Sequence, residues 1–189
     1  MSAQDSKLFV ISGPSGAGKG TLVTRVRERR SNLGLTVSAT TRAPRKGEVD
    51  GVNYFFLTRE DFDRRVANGE FVEWAEVHGN CYGTLVSEVT SKLASGASLI
   101  LEIDVQGALQ VKERFPEAVL IFIKPPSLEV LRERLVGRGT ETPETIELRM
   151  ANAADELALA DRYDDVVVND DLDRATDELV RVLDMHERI

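Results

Sequence analysis

Residues 13–22 read GPSGAGKGTL and directly follow the apolar run LFVIS at residues 8–12. The first seven letters match the pattern G-x-x-x-x-G-K, in which glycines let successive backbone N–H groups turn toward phosphate oxygens. A β-type run before the pattern and a helical pattern at residues 19–30 after it are the context that this motif requires. The stretch therefore predicts a strand, a phosphate-binding loop and a helix whose positive dipole end faces the phosphates.

The loop predicts binding of a nucleoside triphosphate, but it has one irregularity. The residues expected to contact the triphosphate are Gly13, Pro14, Ser15, Gly16, Ala17, Gly18, Lys19, Gly20 and Thr21. The motif usually places Ser or Thr after the lysine, where the hydroxyl holds Mg²⁺. Here Gly20 takes that position and Thr21 comes next. We therefore expect Mg²⁺ to be carried mainly by phosphates and water, with Thr21 as a candidate ligand.

Apolar runs alternate with helical patterns along most of the chain. Strands are predicted at 8–12, 36–38, 98–104, 118–123 and 165–168. Helices are predicted at 19–30, 84–93, 106–115, from 127, from 143 to about 160, and from 172, with Thr84, Ser127 and Thr142 as caps. The longer strands are continuously apolar, as in a parallel sheet that is covered on both faces. The pattern predicts an α/β fold of the phosphate-loop type, a parallel sheet flanked by helices.

Two segments interrupt this alternation. Residues 38–87 contain five glycines, the aromatic run Tyr54-Phe55-Phe56 and an alternating run at 71–77, which predicts a small, partly antiparallel α+β insert. Residues 137–142 are short and polar and include Arg138. Two inserts beside one phosphate loop indicate parts that close over substrates.

Composition and charge exclude several classes of function. The 189 residues carry a net charge of −8, which argues against a general nucleic-acid-binding face. A single cysteine, Cys81, permits no intramolecular disulfide, and the two histidines match no zinc pattern. No apolar run is long enough for a membrane span, and the amino terminus lacks a signal-peptide pattern. We therefore expect a cytoplasmic protein without nucleic-acid, membrane or obligate protein partners.

An arginine pair in residues 38–45, SATTRAPR, is a candidate site for a second phosphate. Arg42 and Arg45 lie three residues apart beside several hydroxyls, and planar guanidinium groups bind phosphate oxygens in pairs. Tyr54 can offer a phenolic hydroxyl to the same group. Two arginines on a solvated loop can equally be ordinary surface residues, so this stretch alone leaves both interpretations open.

Four further residues match the hydrogen-bonding groups of guanine. Glu73 and Asp104 are carboxylates with apolar neighbours, and Ser38 and Thr84 carry hydroxyls. Guanine presents an acceptor at O6 and donors at N1 and N2. The carboxylates can accept from those donors, whereas adenine would leave the acidic groups unpaired. Such complementarity discriminates between bases by roughly 10⁴–10⁵-fold.

At this point the sequence resembles the guanylate kinase family over nearly its whole length. The matching pieces are GPSGAGKGTL (13–22), S-x-TTR-x-PR (38–45), GEVDGVNYFF (47–56), FVEWAEVHGNCYGT (71–84), LEIDVQGA (101–108), PPS (125–127), RLVGRGTET (134–142) and VNDDLD (168–173). The resemblance implies one domain with a core (1–37, 88–125 and 151–189), a GMP-binding insert (38–87) and a lid (126–150). It also implies transfer of a phosphoryl group from ATP to GMP, and to dGMP as well, with Mg²⁺ as cofactor.

The resemblance assigns a role to each matching residue. The GMP phosphate would be held by Arg42, Arg45, Tyr54 and Tyr82, and the guanine would be read by Ser38, Glu73, Thr84 and Asp104. The implied catalytic residues are Lys19, Arg42, Arg138 and Arg149. Asn169 would lie near the adenine. Glu102 stands where many members have Asp and is a candidate for organising Mg²⁺-bound water. Cys81 departs from the aromatic residue that is common beside Tyr82.

Other interpretations of the same sequence are weaker. Guanylate-kinase-like modules of scaffold proteins bind peptides but have degenerate phosphate loops, whereas Lys19 and its loop are intact here. A kinase for another nucleoside monophosphate would not need Glu73 together with Ser38 and Thr84. A regulatory GTPase would carry an N-K-x-D motif, which this sequence lacks.

Overall fold

The computed structural model describes residues 6–77, 79–137 and 142–187. Its strands are β1 (Leu8–Ser12), β2 (Gly34–Leu35), β3 (Ala39–Thr40), β4 (Phe55–Phe56), β5 (Phe71–Val77), β6 (Asn80–Leu85), β7 (Leu99–Glu102), β8 (Val119–Lys124) and β9 (Asp165–Val168). Its α-helices are α1 (Lys19–Arg29), α2 (Arg59–Ala67), α3 (Val86–Ala94), α4 (Val105–Arg114), α5 (Leu128–Gly137), α6 (Pro143–Leu157) and α7 (Leu172–Glu187). None of the helices in these ranges is long and apolar enough to cross a bilayer.

A five-stranded parallel sheet forms the core, in the order β2-β7-β1-β8-β9. β1 lies at its centre, and all five of its residues are buried. Phe9 and Ile11 point to one face and pack with α1 and α7, while Leu8 and Val10 point to the other and pack with α3 and α4. Burial on both faces is the reason for the continuously apolar strands, and the predicted α/β fold is confirmed.

A second, smaller sheet runs in the order β4-β3-β6-β5 and lies within residues 38–87. β3 pairs with β4 in parallel, but β3–β6 and β5–β6 are antiparallel, so this segment is partly antiparallel as predicted. Helix α2 covers the sheet, and Thr58 caps that helix by accepting from the backbone N–H of Asp61 at 3.1 Å. A cluster of its own forms the apolar interior of this segment: Ala39, Phe62, Phe71, Cys81 and Leu85.

Ion pairs join α1 to α7 along one side of the core. The pairs are Arg25–Asp173, Arg29–Asp177, Arg30–Asp184 and Arg30–Glu187. Arg25 keeps 41% of its side chain exposed, whereas Arg30 keeps only 14%. Since solvent screens exposed charges, the inner pairs of Arg30 stabilise this helix packing more than the outer ones do.

Three local predictions were wrong. Residues 36–38 form no strand, because the backbone N–H of Val37 donates to Glu88 Oε1 at 2.8 Å instead of to a neighbouring strand. Thr84 is not a helix cap, because it is a buried residue of β6, and α3 begins only at Val86. The helix predicted to reach about residue 160 ends at Leu157. A short 3₁₀ helix, Ala160–Arg162, follows there.

Candidate active site

The phosphate loop connects β1 to α1, and two of its glycines are required by close contacts. Gly13 has φ of +142°, and a Cβ at this position would lie 2.2 Å from the carbonyl oxygen of Ile123. Gly18 has φ of +91°, and its Cβ would lie 2.4 Å from Asn169 Nδ2. An L side chain fits neither position without displacing its neighbour. The loop is therefore held close to β8 and to the residue that follows β9.

Side chains from three other segments support the loop. Asn169 Nδ2 donates to the Ala17 carbonyl at 2.8 Å, and Arg134 Nη2 donates to the Asn169 carbonyl at 2.8 Å. Arg149 Nη1 donates to the hydroxyl of Ser15. Asn169, the predicted neighbour of the adenine, is 5% exposed and is hydrogen-bonded to the loop itself. Sequence reasoning gave Arg134 no role, because nothing in the residue type or its spacing marks a contact with a backbone carbonyl.

A cavity of about 440 Å³ opens beside this support and fits the expected place of the adenosine group. Its lining residues are Gly16, Gly18, Thr21, Arg134, Gly137, Asn169, Asp170 and Leu172. Asn169 therefore borders the predicted adenine region even though its amide N–H is directed at Ala17. The catalytic candidate Arg138 lies outside the described residues.

Lys19 begins α1 and bends back over the loop. Its Nζ donates to the carbonyls of Gly13 at 2.5 Å and Pro14 at 3.0 Å. Lys19, Thr21 and Glu102 all line a second cavity of about 320 Å³. The ammonium group and the predicted Mg²⁺ candidates therefore face the same space.

Glu102 lies next to the loop's irregular glycine. A Cβ on Gly20 would meet Glu102 Oε1 at 3.5 Å and Oε2 at 3.7 Å, which is ordinary contact. The side chain of Glu102 is open to the cleft, yet the atoms around it desolvate the carboxyl enough to raise its pKa, and the charge of Lys19 opposes that rise. The absence of a side chain at Gly20 leaves a carboxylate directly facing the phosphate cavity.

Arg42 is fixed by contacts on several sides at the edge of the second sheet. Its Nη2 donates to Glu48 Oε1 and Oε2 at 2.9 and 3.0 Å, and its Nη1 donates to the Ala43 carbonyl at 2.8 Å. The guanidinium carbon lies 5.4 Å from the ring centre of Tyr54 and 5.9 Å from that of Phe56, within the range of a cation–π contact. The predicted phosphate ligand is therefore held in one orientation.

Tyr54 and Tyr82 lie together beside this arginine. Their ring centres are 6.2 Å apart in an edge-to-face arrangement. Hydrogen bonds from Arg42 to Glu48 and Tyr82 raise the pKa of the guanidinium further. The structure thus brings together three of the four residues predicted to hold the acceptor phosphate, and Arg45 lies in the adjoining turn.

Glu48 is a residue that the sequence reasoning missed. It accepts from Arg42 and also from the backbone N–H of Arg45 at 2.7 Å, and these two contacts hold the pKa of its carboxyl below the ordinary range. Glu48 lies within the piece GEVDGVNYFF. The sequence does offer one signal for this contact, a carboxylate three residues after Arg45.

The four predicted base-reading residues come from both sheets. Glu73 of β5 and Thr84 of β6 are directly paired across the strands, and Ser38 immediately precedes β3 in the same sheet. Asp104 follows β7 of the core and caps α4 by accepting from the backbone N–H of Gly107 at 2.7 Å. A Cβ on Gly107 would contact both Asp104 Oδ1 at 3.4 Å and Glu73 Cγ at 3.6 Å. Glu73 and Asp104 therefore meet where the second sheet touches the core.

Desolvation makes the carboxyl group of Glu73 unusual. Desolvation raises the pKa of Glu73, and the nearby charge of Asp104 adds to the rise, while Thr84 opposes it. The hydroxyl oxygen of Thr84 is itself buried and meets no partner of good hydrogen-bond geometry among the described residues. The site therefore offers a desolvated carboxyl and an unsatisfied hydroxyl, which are groups that a polar ligand can pair.

An acidic cavity of about 340 Å³ adjoins Asp104. Its lining residues are Asp104, Val105, Gln106, Asn152, Asp155, Glu156 and Leu159. Burial raises the pKa of Glu156, the charge of Lys19 lowers it, and that of Asp104 raises it. Helix α6 therefore places acidic side chains between the base-reading residues and the lysine of the phosphate loop, which the sequence pattern did not predict.

Comparison with known proteins gives a consistent result. The family model for guanylate kinase matches residues 5–186. The chain is 56% identical over 178 residues to a guanylate kinase from Gloeobacter violaceus, covering 94% of this chain and 87% of that protein. It is 52% identical over 183 residues to one from Halalkalibacterium halodurans, covering 97% and 90%. The fold is similar to the crystal structure of guanylate kinase from Anaplasma phagocytophilum, with a TM-score of 0.72, 36% identity and coverage of 96% and 86%.

Proposed function

Since this chain belongs to the guanylate kinase family and transfers the γ-phosphoryl group of ATP to GMP, we propose that Lys19, Arg42 and Arg149 are its catalytic residues. We also propose that dGMP is a second acceptor. The main support is that Glu73 of the second sheet meets Asp104 of the core, which follows the strand beside β1. The acceptor base is thereby read next to the edge of the sheet that holds the phosphate loop.

At the donor side, the backbone N–H groups of residues 13–21 and the amino end of α1 bind the β and γ phosphates. Lys19 exchanges its two carbonyl contacts for phosphate oxygens when ATP enters. Arg149 leaves Ser15 for the transferred group. Arg138, which the resemblance also makes catalytic, lies outside the described residues. The adenosine occupies the cavity of about 440 Å³ beside Asn169 and Arg134.

At the acceptor side, Arg42, Arg45, Tyr54 and Tyr82 hold the phosphate of GMP. Guanidinium and phenol groups donate to its oxygens, and the planar guanidinium binds two oxygens at once. Arg42 is already oriented by its contacts with Glu48 and the aromatic rings, so little side-chain freedom is lost when GMP binds.

Guanine is selected by Glu73 and Asp104, which accept from N1–H and N2–H, and by Ser38 and Thr84, which donate to O6. The unsatisfied hydroxyl of Thr84 gains a partner when the base enters. Since dGMP carries the same base and phosphate as GMP, these residues can bind both, which is the reason that dGMP is expected to be accepted.

Mg²⁺ fits the cavity beside the loop. Thr21 and Glu102 supply oxygen atoms to the space that Lys19 also faces, and Mg²⁺ prefers oxygen ligands while retaining several waters. Within the described ranges no three acidic, histidine or cysteine side chains cluster as a metal site. Thr21 and Glu102 would hold the ion through its water molecules. When bound, Mg²⁺ neutralises charge on the β and γ phosphates.

The reaction needs positioning and charge neutralisation more than proton transfer. The acceptor phosphate has a second pKa near 6, so at neutral pH it is ionised and requires no general base. One of its oxygens forms a bond to the γ-phosphorus while the bond from that phosphorus to the bridging oxygen of ADP breaks. Lys19, Arg42 and Arg149 hold the two nucleotides in line and stabilise the charge that spreads over the transferred group. Movement of the insert (38–87) and lid (126–150) toward the core (1–37, 88–125 and 151–189) excludes water.

The acceptor assignment is tested by measuring ADP formation from ATP and Mg²⁺ with GMP, dGMP, AMP, UMP and CMP in turn. We expect turnover with GMP and dGMP, and kcat/KM lower by at least about 10⁴-fold with the other three. Comparable turnover with AMP would contradict the assignment of Glu73 and Asp104, and no turnover with dGMP would contradict the second acceptor.

A further inference from the structure

We propose that Glu48 is a positioning residue for the acceptor phosphate, which orients Arg42 and shapes the turn that carries Arg45. This inference rests on the proposed function of that site. Glu48 is expected to contact no substrate. It acts through the two arginines that do.

The contacts of Glu48 reach both arginines. Both of its carboxylate oxygens accept from Arg42 Nη2, at 2.9 and 3.0 Å. One of them also accepts from the backbone N–H of Arg45 at 2.7 Å, and the backbone N–H of Glu48 donates to the Arg45 carbonyl at 3.0 Å. The turn from Arg45 to Glu48 is therefore closed in both directions, and the same carboxylate holds the side chain of Arg42.

This arrangement leaves the two arginines in different states. Arg42 is 16% exposed, lies against two aromatic rings and makes a second hydrogen bond to the Ala43 carbonyl. The side chain of Arg45 is exposed, and no ion pair fixes it within the part of the chain that the structure describes. The side chain of Arg42 is thus oriented by its contacts, whereas that of Arg45 is exposed. Glu48 holds the Arg42 side chain and the Arg45 backbone.

Glu48 places a negative charge beside the proposed site of a phosphate dianion, which it would repel if it were unpaired. A guanidinium has five N–H donors in a fixed plane, and Glu48 binds through Nη2 alone. Nη1 donates to the Ala43 carbonyl and not to Glu48, so the carboxylate occupies only part of the guanidinium's donor set. Since Glu48 is 19% exposed and paired, its charge is largely neutralised by Arg42, and its net effect is orientation.

The test compares Glu48→Gln with Glu70→Gln, a matched variant in the same insert. Glu70 pairs with Arg65 at 2.8 Å, but no role in substrate binding is assigned to either residue. For Glu48→Gln we expect KM for GMP to rise by about tenfold to a hundredfold and KM for ATP to stay close to that of wild type, with a modest fall in melting temperature because the pair is largely buried. Glu48→Asp, which keeps the charge but is shorter, should restore part of the loss. Glu70→Gln should leave both KM values unchanged.

Binding of guanosine, which lacks the phosphate, separates positioning from a general structural effect. Calorimetric titration should show that Glu48→Gln weakens GMP binding but leaves guanosine binding unchanged. Tighter GMP binding in Glu48→Gln would mean that Glu48 competes with the phosphate, and equal weakening of GMP and guanosine would mean a general disturbance of the insert. Either result overturns the proposal, as does unchanged GMP affinity. The wild-type acceptor assay tests the proposed function separately, because it does not depend on these variants.

Discussion

Two glycines, two residues apart in the phosphate loop, should respond in opposite ways to the same substitution. Gly18 has φ of +91°, where an L residue is strained by about 1–3 kcal/mol. An alanine Cβ would also lie 2.4 Å from Asn169 Nδ2, so the amide must move and lose its 2.8 Å hydrogen bond to Ala17, which costs about 1 kcal/mol. Gly18→Ala should therefore lower the free energy of unfolding by about 2–4 kcal/mol.

Gly20 is the second residue of α1, and its added Cβ would meet only the carboxylate oxygens of Glu102 at 3.5 and 3.7 Å. Alanine in a helix is about 0.5–1 kcal/mol more favourable than glycine, so Gly20→Ala should stabilise the protein by about that amount. For a chain of this size, 1 kcal/mol shifts the melting temperature by about 2–4 °C. We expect a fall of about 4–16 °C for Gly18→Ala and a rise of about 1–4 °C for Gly20→Ala.

Thermal unfolding followed by circular dichroism, without nucleotides, measures both shifts. Repeating the melts with ATP shows whether the loop still binds, and Gly18→Ala should gain less from ATP than wild type does. If Gly18→Ala melted within about 1 °C of wild type, the contact with Asn169 would not be part of the native loop. A fall of equal size in both variants would refute the distinction between the two positions.

Three further predictions concern charge. Lys19→Met should lower kcat by about 10²–10³-fold, because one positioned cation is removed from the transferred group, while the circular dichroism spectrum stays that of wild type; near-normal kcat would contradict its role. Burial raises the pKa of Glu73 above its ordinary value near 4.5, so the carboxyl destabilises the fold as the pH rises through that raised value. Glu73→Gln should thus raise the melting temperature at pH 8 but not at pH 4. It should also raise KM for GMP by about 10–100-fold at pH 8, because the lost hydrogen bonds to a charged group are worth about 1.5–3 kcal/mol. An unchanged KM would exclude Glu73 as a base reader. Arg30→Gln should cost about 1–3 kcal/mol of unfolding free energy in urea titrations and Arg25→Gln less than about 1, since only Arg30 is largely buried, and equal costs would contradict that ranking.

The parts of the fold that the sequence predicts well are those determined locally. The apolar run at 8–12, the glycines after it and the helix from Lys19 specify each other over short distances. The place of this loop between a strand and a helix was accordingly predicted correctly. The clustering of Arg42, Tyr54 and Tyr82, by contrast, was implied by resemblance, because the strands that bring them together pair across long stretches of chain.

The wrong predictions have long-range causes. Thr84 has the residue type of a helix cap, but pairing with Glu73 extends β6 past it. Thr58 does cap α2, but the residues after it show no apolar periodicity strong enough to predict that helix. The sequence also did not predict that the amide of Asn169 supports Ala17, a contact between residues 152 positions apart, while the place of Asn169 near adenine stays a prediction. Glu48 was missed because its partner residues become significant only when the turn is folded.

The small apolar cluster of the second sheet has a consequence for how such an enzyme can diverge. Phe62, Phe71 and their neighbours pack among themselves and share no member with the clusters on the two faces of the central sheet. Substitutions at sites that share no contacts usually add independently in their effect on stability. Mutations within this cluster can therefore accumulate with little effect on the packing beneath the phosphate loop, although Val72, in the same strand as Phe71, packs with the central sheet. Selection can alter the residues that the insert contributes to base recognition while the phosphate loop is inherited intact.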